Sequence, residues 1–74
     1  MLTVREAAAV VRELRQERQW TQSDLAARAR VSRSFVADLE TGKATVEAAK
    51  LFDVFQAFGL EVALRDRADG SVRW

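Results

Sequence analysis

The chain has 74 residues, 49% of them hydrophobic, and its twelve basic residues offset eleven acids to leave a net charge of +1. That length bounds it to one domain, and that composition favours a packed core over disorder. There is no cysteine and no histidine, which excludes disulfides, thiol nucleophiles, Cys/His metal sites and a histidine general base. No metal or cofactor is therefore expected. An unstapled domain this small lies near the lower limit of stability, so self-association is expected. No apolar run approaches the ~18 residues of a membrane span. The opening Met1-Leu2-Thr3-Val4-Arg5-Glu6 carries an acid in place of a signal peptide's long apolar stretch. A cytoplasmic protein with no membrane partner is the expectation.

The net charge says little, but its makeup says more. Lys43 and Lys50 are the two lysines among the twelve bases, which leaves ten arginines. Arginine suits bidentate contacts to phosphate, carboxylate and guanine. Residues 1–45 hold eight bases and six acids, whereas residues 46–64 hold Lys50 against Glu47, Asp53 and Glu61. The first 45 residues are the mildly positive part.

Thr3-Val4-Arg5-Glu6 fits a capping box, and Ala7, Val10, Val11 and Leu14 recur at helical spacing, which predicts a helix from about 4 to 18. Thr21-Gln22-Ser23-Asp24 repeats the capping signal, and Leu25, Ala26 and Ala29 predict a second helix over 22–29. Ser32 is a third N-cap, opening a helix from Arg33 to Glu40 with Val36 and Leu39 inward and Phe35 packed beside them; Gly42 stops it. Thr45 is the predicted cap of a fourth helix whose apolar face carries Ala48, Leu51, Phe52, Val54, Phe55 and Phe58, and which Gly59 ends. Leu60 to Arg65 is β-compatible and short. The polar residues 67–74, holding Gly70 and ending at Trp74, read as a flexible C-terminal tail. The predicted division is thus a domain over 1–66, with its strand at about 60–65, and a tail over 67–74. No catalytic constellation stands out, and an enzyme is not expected.

Two short helices joined by three or four residues, the second opening at a Ser cap, fit a helix-turn-helix. The stretch from Trp20 to Lys43 resembles the phage-repressor-like (Xre/Cro) family along its whole length. Thr21-Gln22 opens the second helix, Leu25-Ala26 lies within it, Val31-Ser32 precedes the third, and Leu39-Glu40-x-Gly42-Lys43 follows. With the flanking helices the resemblance covers residues 4–60. One departure is Arg30, where the family turn usually has glycine, so an arginine would have to carry any positive φ there.

The resemblance implies a mainly α, four- to five-helix repressor-like domain whose third helix lies in the DNA major groove. Arg33, Ser34 and Asp38 then become candidate base contacts, Arg33 toward guanine O6 and N7 and Asp38 either toward cytosine N4 or as an orienting carboxylate for Arg33 or Arg28. Gln22, Ser32 and Lys43 become phosphate contacts, Gln22 at a helix N-terminus that attracts anions. Glu40 sits unfavourably near a helix C-terminus, and the family pairs it with a first-helix arginine, here Arg15. Trp20 and the Phe52/Phe55/Phe58 cluster read as core.

One such module buries little DNA surface, so a homodimer on a palindromic double-stranded operator is expected. The strand with Leu60, Val62 and Leu64 has an unpaired edge, and pairing with its symmetry mate would satisfy that edge and bury these side chains on the fourth helix. The order of elements, with Gly-Leu-Glu-Val-x-Leu at residues 59–64, is similar to HipB-type antitoxins. That resemblance implies a repressor that autoregulates its operon and binds a HipA-like Ser/Thr kinase toxin, with Trp74 as a partner anchor. The alternatives are a stand-alone Xre-type regulator without a toxin, and an interaction module that has lost DNA binding.

Overall fold

The computed structural model describes residues 3–43 and 45–73. Four helices, α1 (Val4–Glu17), α2 (Gln22–Ala29), α3 (Arg33–Glu40) and α4 (Ala48–Ala57), precede two short strands, β1 (Leu64–Arg65) and β2 (Val72–Arg73). Local chemistry sets the first three starts. Thr3 Oγ1 accepts from the Glu6 N–H while the Glu6 carboxylate accepts from Thr3, and Thr21 and Asp24 repeat this reciprocal pair on α2. Ser32 Oγ accepts from the Phe35 N–H at 3.0 Å and opens α3. Such caps satisfy N–H groups that have no partner inside the helix and contribute about 1 kcal/mol each.

The fourth helix departs from its predicted start. It begins at Ala48, Glu47 occupies the cap position, and no side chain caps it. Thr45 stands two residues before that cap position and makes no cap hydrogen bond.

Helix ends are closed by left-handed residues. Gly42 at φ 77° and Gly59 at φ 75° each let the next residue's N–H reach back over the last turn, Lys43 to Asp38 O and Leu60 to Phe55 O. Gln19 and Arg30 do the same for α1 and α2 at φ 56° and 59°, without glycine's freedom. The turn at Arg30 is therefore left-handed with a residue that carries a Cβ.

The α2 helix packs against both α3 and α4, and α1 packs against α3. Their meeting faces bury Val11, Leu25, Val36, Leu39 and Val54 completely, with Ala7, Ala26, Ala29, Phe55 and Phe58 around them. Phe35 is half-buried against this core. Trp20 stacks on Phe58 with centroids 5.5 Å apart, and Arg28 lies over the indole at 4.3 Å. This joins the α1–α2 corner to the end of α4, an arrangement in which the aromatic quadrupole and the cation attract. Phe52, assigned to the core from the sequence, lies outside it at 45% exposed, and Val10 of the apolar repeat on α1 is 41% exposed. Both sit on apolar helix positions, and each borders a groove lined on its other side by Leu60 and Val62.

The C-terminal segment differs from the single strand predicted at 60–65. The ladder is confined to two residues and lies within the chain, Leu64 opposite Arg73 and Arg65 opposite Val72, antiparallel. Asp66 makes the turn: its carboxylate accepts from the Ala68 N–H, its N–H donates to Ser71 O, and Gly70 at φ 76° donates to Asp66 O. Residues 60–63 belong to neither strand, and the Leu60 N–H is already taken by Phe55 O. Each strand of the ribbon keeps one open edge.

Candidate nucleic-acid interface

Arg30 in its left-handed conformation turns the chain between α2 and α3, so that the two helices meet closely and α3 presents its N-terminal residues to solvent. Arg33 and Ser34, the first two residues of α3, are exposed. Among the described residues neither side chain is held in a hydrogen bond or ion pair within the chain. The N–H groups of Gln22 and Ser23, at the start of α2, likewise have no partner there. Two helix N-termini thus offer unsatisfied donors with a positive dipole end, a setting suited to phosphate oxygens.

One ion pair fixes the angle at which these helices are held. The Arg15 guanidinium donates to both carboxylate oxygens of Glu40, at 2.7 and 3.0 Å, and to Trp20 O at 2.8 Å. The Arg15 and Glu40 side chains are 14% and 5% exposed. The pair ties the last turn of α1 to the end of α3 and to the entry of α2. The Glu40 carboxylate, through its hydrogen bond, raises the Arg15 pKa above its ordinary value even though burial lowers it. Gln22 joins this network, its Nε2 lying 3.4 Å from Glu40 Oε1. Its side-chain amide is therefore anchored beside the ion pair.

The other sequence-derived residues are distributed as follows. Ser32 is exposed and uses its oxygen lone pairs for the cap, which leaves its hydroxyl hydrogen free to donate. Asp38 does not orient Arg33 or Arg28: its Oδ2 lies 3.5 Å from Lys43 Nζ, because the turn at Gly42 folds Lys43 back over the last turn of α3. Arg28 is held instead over Trp20. Both members of the Asp38–Lys43 pair are half exposed or more, so water competes effectively for each charge. Trp74 lies outside the described residues.

A second surface is apolar. Leu60, Val62 and Leu64 are exposed, Leu64 by 73%, and they line a groove with Phe52 and Gln56 of α4. Val10 and Val72 are exposed as well. Val10, Phe52 and Val72 were not assigned to a surface from the sequence. The signal for Val10 and Phe52 was an apolar stripe on α1 and α4 wider than one packed interface consumes.

A helix-turn-helix family model matches residues 11–64. No curated protein sequence is close enough to match. Among solved structures the chain is similar to "HipB-O4 20mer complex", with a TM-score of 0.80 at 22% identity over 90% of this chain and 94% of that one. It is similar to "HipB-O1-O2 complex", with a TM-score of 0.79 at 23% identity over 89% and 96% of the two chains. "Structure of HipA-HipB-O2-O3 complex" gives 0.80 at 22% over 90% and 94%. These likenesses show a shared mainly α fold over nearly the whole length of both chains.

Proposed function

The chain belongs to the helix-turn-helix family, and we propose that it is a sequence-specific, dimeric DNA-binding repressor that serves as the antitoxin of a HipBA-like toxin–antitoxin pair. The observation that carries the DNA-binding part is the joint placement of two capped, donor-bearing helix N-termini, α2 and α3, across the left-handed turn at Arg30. Arg33 and Ser34 reach base edges from the start of α3, with Asp38 one turn on. Gln22 and Ser32 hold phosphates and Lys43 adds a third contact, which positions the domain without reading sequence.

Dimerisation follows from the uncovered apolar face. Leu60, Val62 and Leu64 of one protomer meet those of its partner, and Phe52 and Val10 border the contact. The open edge of β1, together with residues 61–63, supplies backbone groups for pairing across the two-fold axis. Two protomers then read the two halves of a palindrome.

The antitoxin part rests on likeness to structures titled as HipB–operator complexes and as a HipA–HipB–operator complex. A HipA-like kinase is the proposed partner, and Trp74 is the proposed anchor in it. A pull-down with the product of the adjacent reading frame tests this. The full chain retains the kinase, and a chain truncated before Ser71 retains DNA but loses it. Equal retention by both chains removes the anchor, and no retention by either leaves a stand-alone regulator.

A further inference from the structure

Arg5 and Arg12 stand seven positions apart on α1, two turns along one face. Together with Glu13, Gln16, Thr41 and Gly42 they line a cleft of about 330 Å³ between α1 and the turn that follows α3. The Arg5 stem lies along that turn: a Cβ on Gly42 would stand 3.8 Å from Arg5 Cα and 4.0 Å from its Cβ and Cγ. Both arginines are exposed, and neither has an ion-pair partner among the described residues. Two carboxylates reach the cleft. Glu40 is neutralised by Arg15, which leaves Glu13 against two guanidinium groups. The cleft is open, cationic and lined on one side by a residue with no side chain.

We infer that this cleft holds a backbone phosphate of duplex DNA, one that lies beyond the contacts made by the helix-turn-helix itself. The inference rests on the DNA-binding reading above. Guanidinium forks match phosphate oxygens bidentately, Gln16 adds a neutral amide donor, and Gly42 lets the Arg5 stem lie against the turn at the edge of the cleft. The eight residues of α3 span about 12 Å, which equals the roughly 12 Å width of the major groove. With Arg33 at the base edges, the turn at Gly42 comes beside the strand that borders the groove. The cleft thus supplies two cations on a DNA-facing side where Lys43 already shares its charge with Asp38.

Salt-dependent titration of duplex DNA from the region upstream of the gene tests the inference. The variants are R5Q/R12Q and, as a charge-matched control on the C-terminal ribbon, R67Q/R73Q. Glutamine keeps the Arg5 stem on Gly42, so the fold is retained, and a thermal melt verifies it. The slope of log K against log salt, measured between about 50 and 300 mM, should fall by about 2 in R5Q/R12Q, one phosphate in each half-site, and stay unchanged in the control. Binding to specific and scrambled duplexes should weaken by the same factor. Ethylation interference should lose one phosphate per half-site. An unchanged slope in R5Q/R12Q, or an equal fall in the control, overturns the cleft while leaving the α3 contacts standing. A wild-type chain that binds no duplex overturns both.

Discussion

Arg15 and Glu40, twenty-five positions apart, meet through two hydrogen bonds of 2.7 and 3.0 Å. The pair joins α1 to the end of α3, and Arg15 also holds the carbonyl of Trp20, the residue before the α2 cap. One guanidinium thus ties all three helices on which the interface depends.

Removing one partner leaves the other desolvated and unpaired. Arg15→Met should cost about 3 kcal/mol, read as a lower urea midpoint with an unchanged slope. The double variant Arg15→Met/Glu40→Leu should cost clearly less than the sum of the two single changes. Additive losses would mean that the two side chains act independently.

Base and phosphate contacts predict different losses. Arg33→Ala should remove about 1–3 kcal/mol of discrimination between specific and random DNA. Gln22→Ala should weaken both alike, because phosphates carry no sequence information. Gln22 also touches Glu40, so its variant should first be shown to keep its melting temperature. Equal losses on both DNAs for Arg33→Ala would remove its role as a base contact.

Val62 is 45% exposed on the apolar face. A charge placed there should be tolerated by the single chain and rejected by a symmetric contact. Val62→Glu should sediment as a monomer and bind operator DNA far more weakly than the wild type. Dimers that persist in Val62→Glu would place the two-fold contact elsewhere.

Arg30 holds φ at 59° without glycine's freedom. Arg30→Gly should raise stability by about 0.5–1 kcal/mol, since relief of strain exceeds the extra entropy of the unfolded glycine. Gly59→Ala should do the reverse. No atom lies within 4 Å of a Cβ built there, so its cost comes from φ alone. A loss of stability in Arg30→Gly would mean that the arginine makes a compensating contact in solution.

The Thr21 backbone N–H and hydroxyl hold the Asp24 carboxyl below its ordinary 3.8. A depressed folded value stabilises above the unfolded pKa and is lost as pH falls through the folded one. Asp24→Asn should therefore melt lower than the wild type near neutral pH, and the difference should shrink below about pH 4. A difference that stays constant down to pH 2 would show that the carboxylate's charge plays no part in the cap.

The fold was legible wherever short-range chemistry decides it. Thr3, Thr21 and Ser32 mark their helix starts because a cap needs only a residue and the N–H three positions on. Val36 and Leu39 declare the inward face of α3 through spacing alone. The start of α4 was not legible, since Ala48 begins that helix with no side-chain cap. Nor was the C-terminal ladder, whose two residue pairs depend on the Asp66 turn more than on any apolar pattern. Val10 and Phe52 show a different limit: periodicity marks an apolar position without telling whether its partner lies in the same chain. At the interface, the residues of α2 and α3 could be named from their resemblance to the Xre/Cro family. The anchoring of Gln22 on Glu40 and the pairing of Asp38 with Lys43 required the turn geometry.

Fluorescence anisotropy with labelled DNA from the region upstream of the gene and a scrambled duplex of equal length, at two salt concentrations, bears most directly on the central claim. The account predicts tighter binding to the upstream DNA at both salts, with one dimer per palindrome. Equally weak, salt-sensitive binding to both duplexes would contradict it, leaving only non-specific attraction to phosphate.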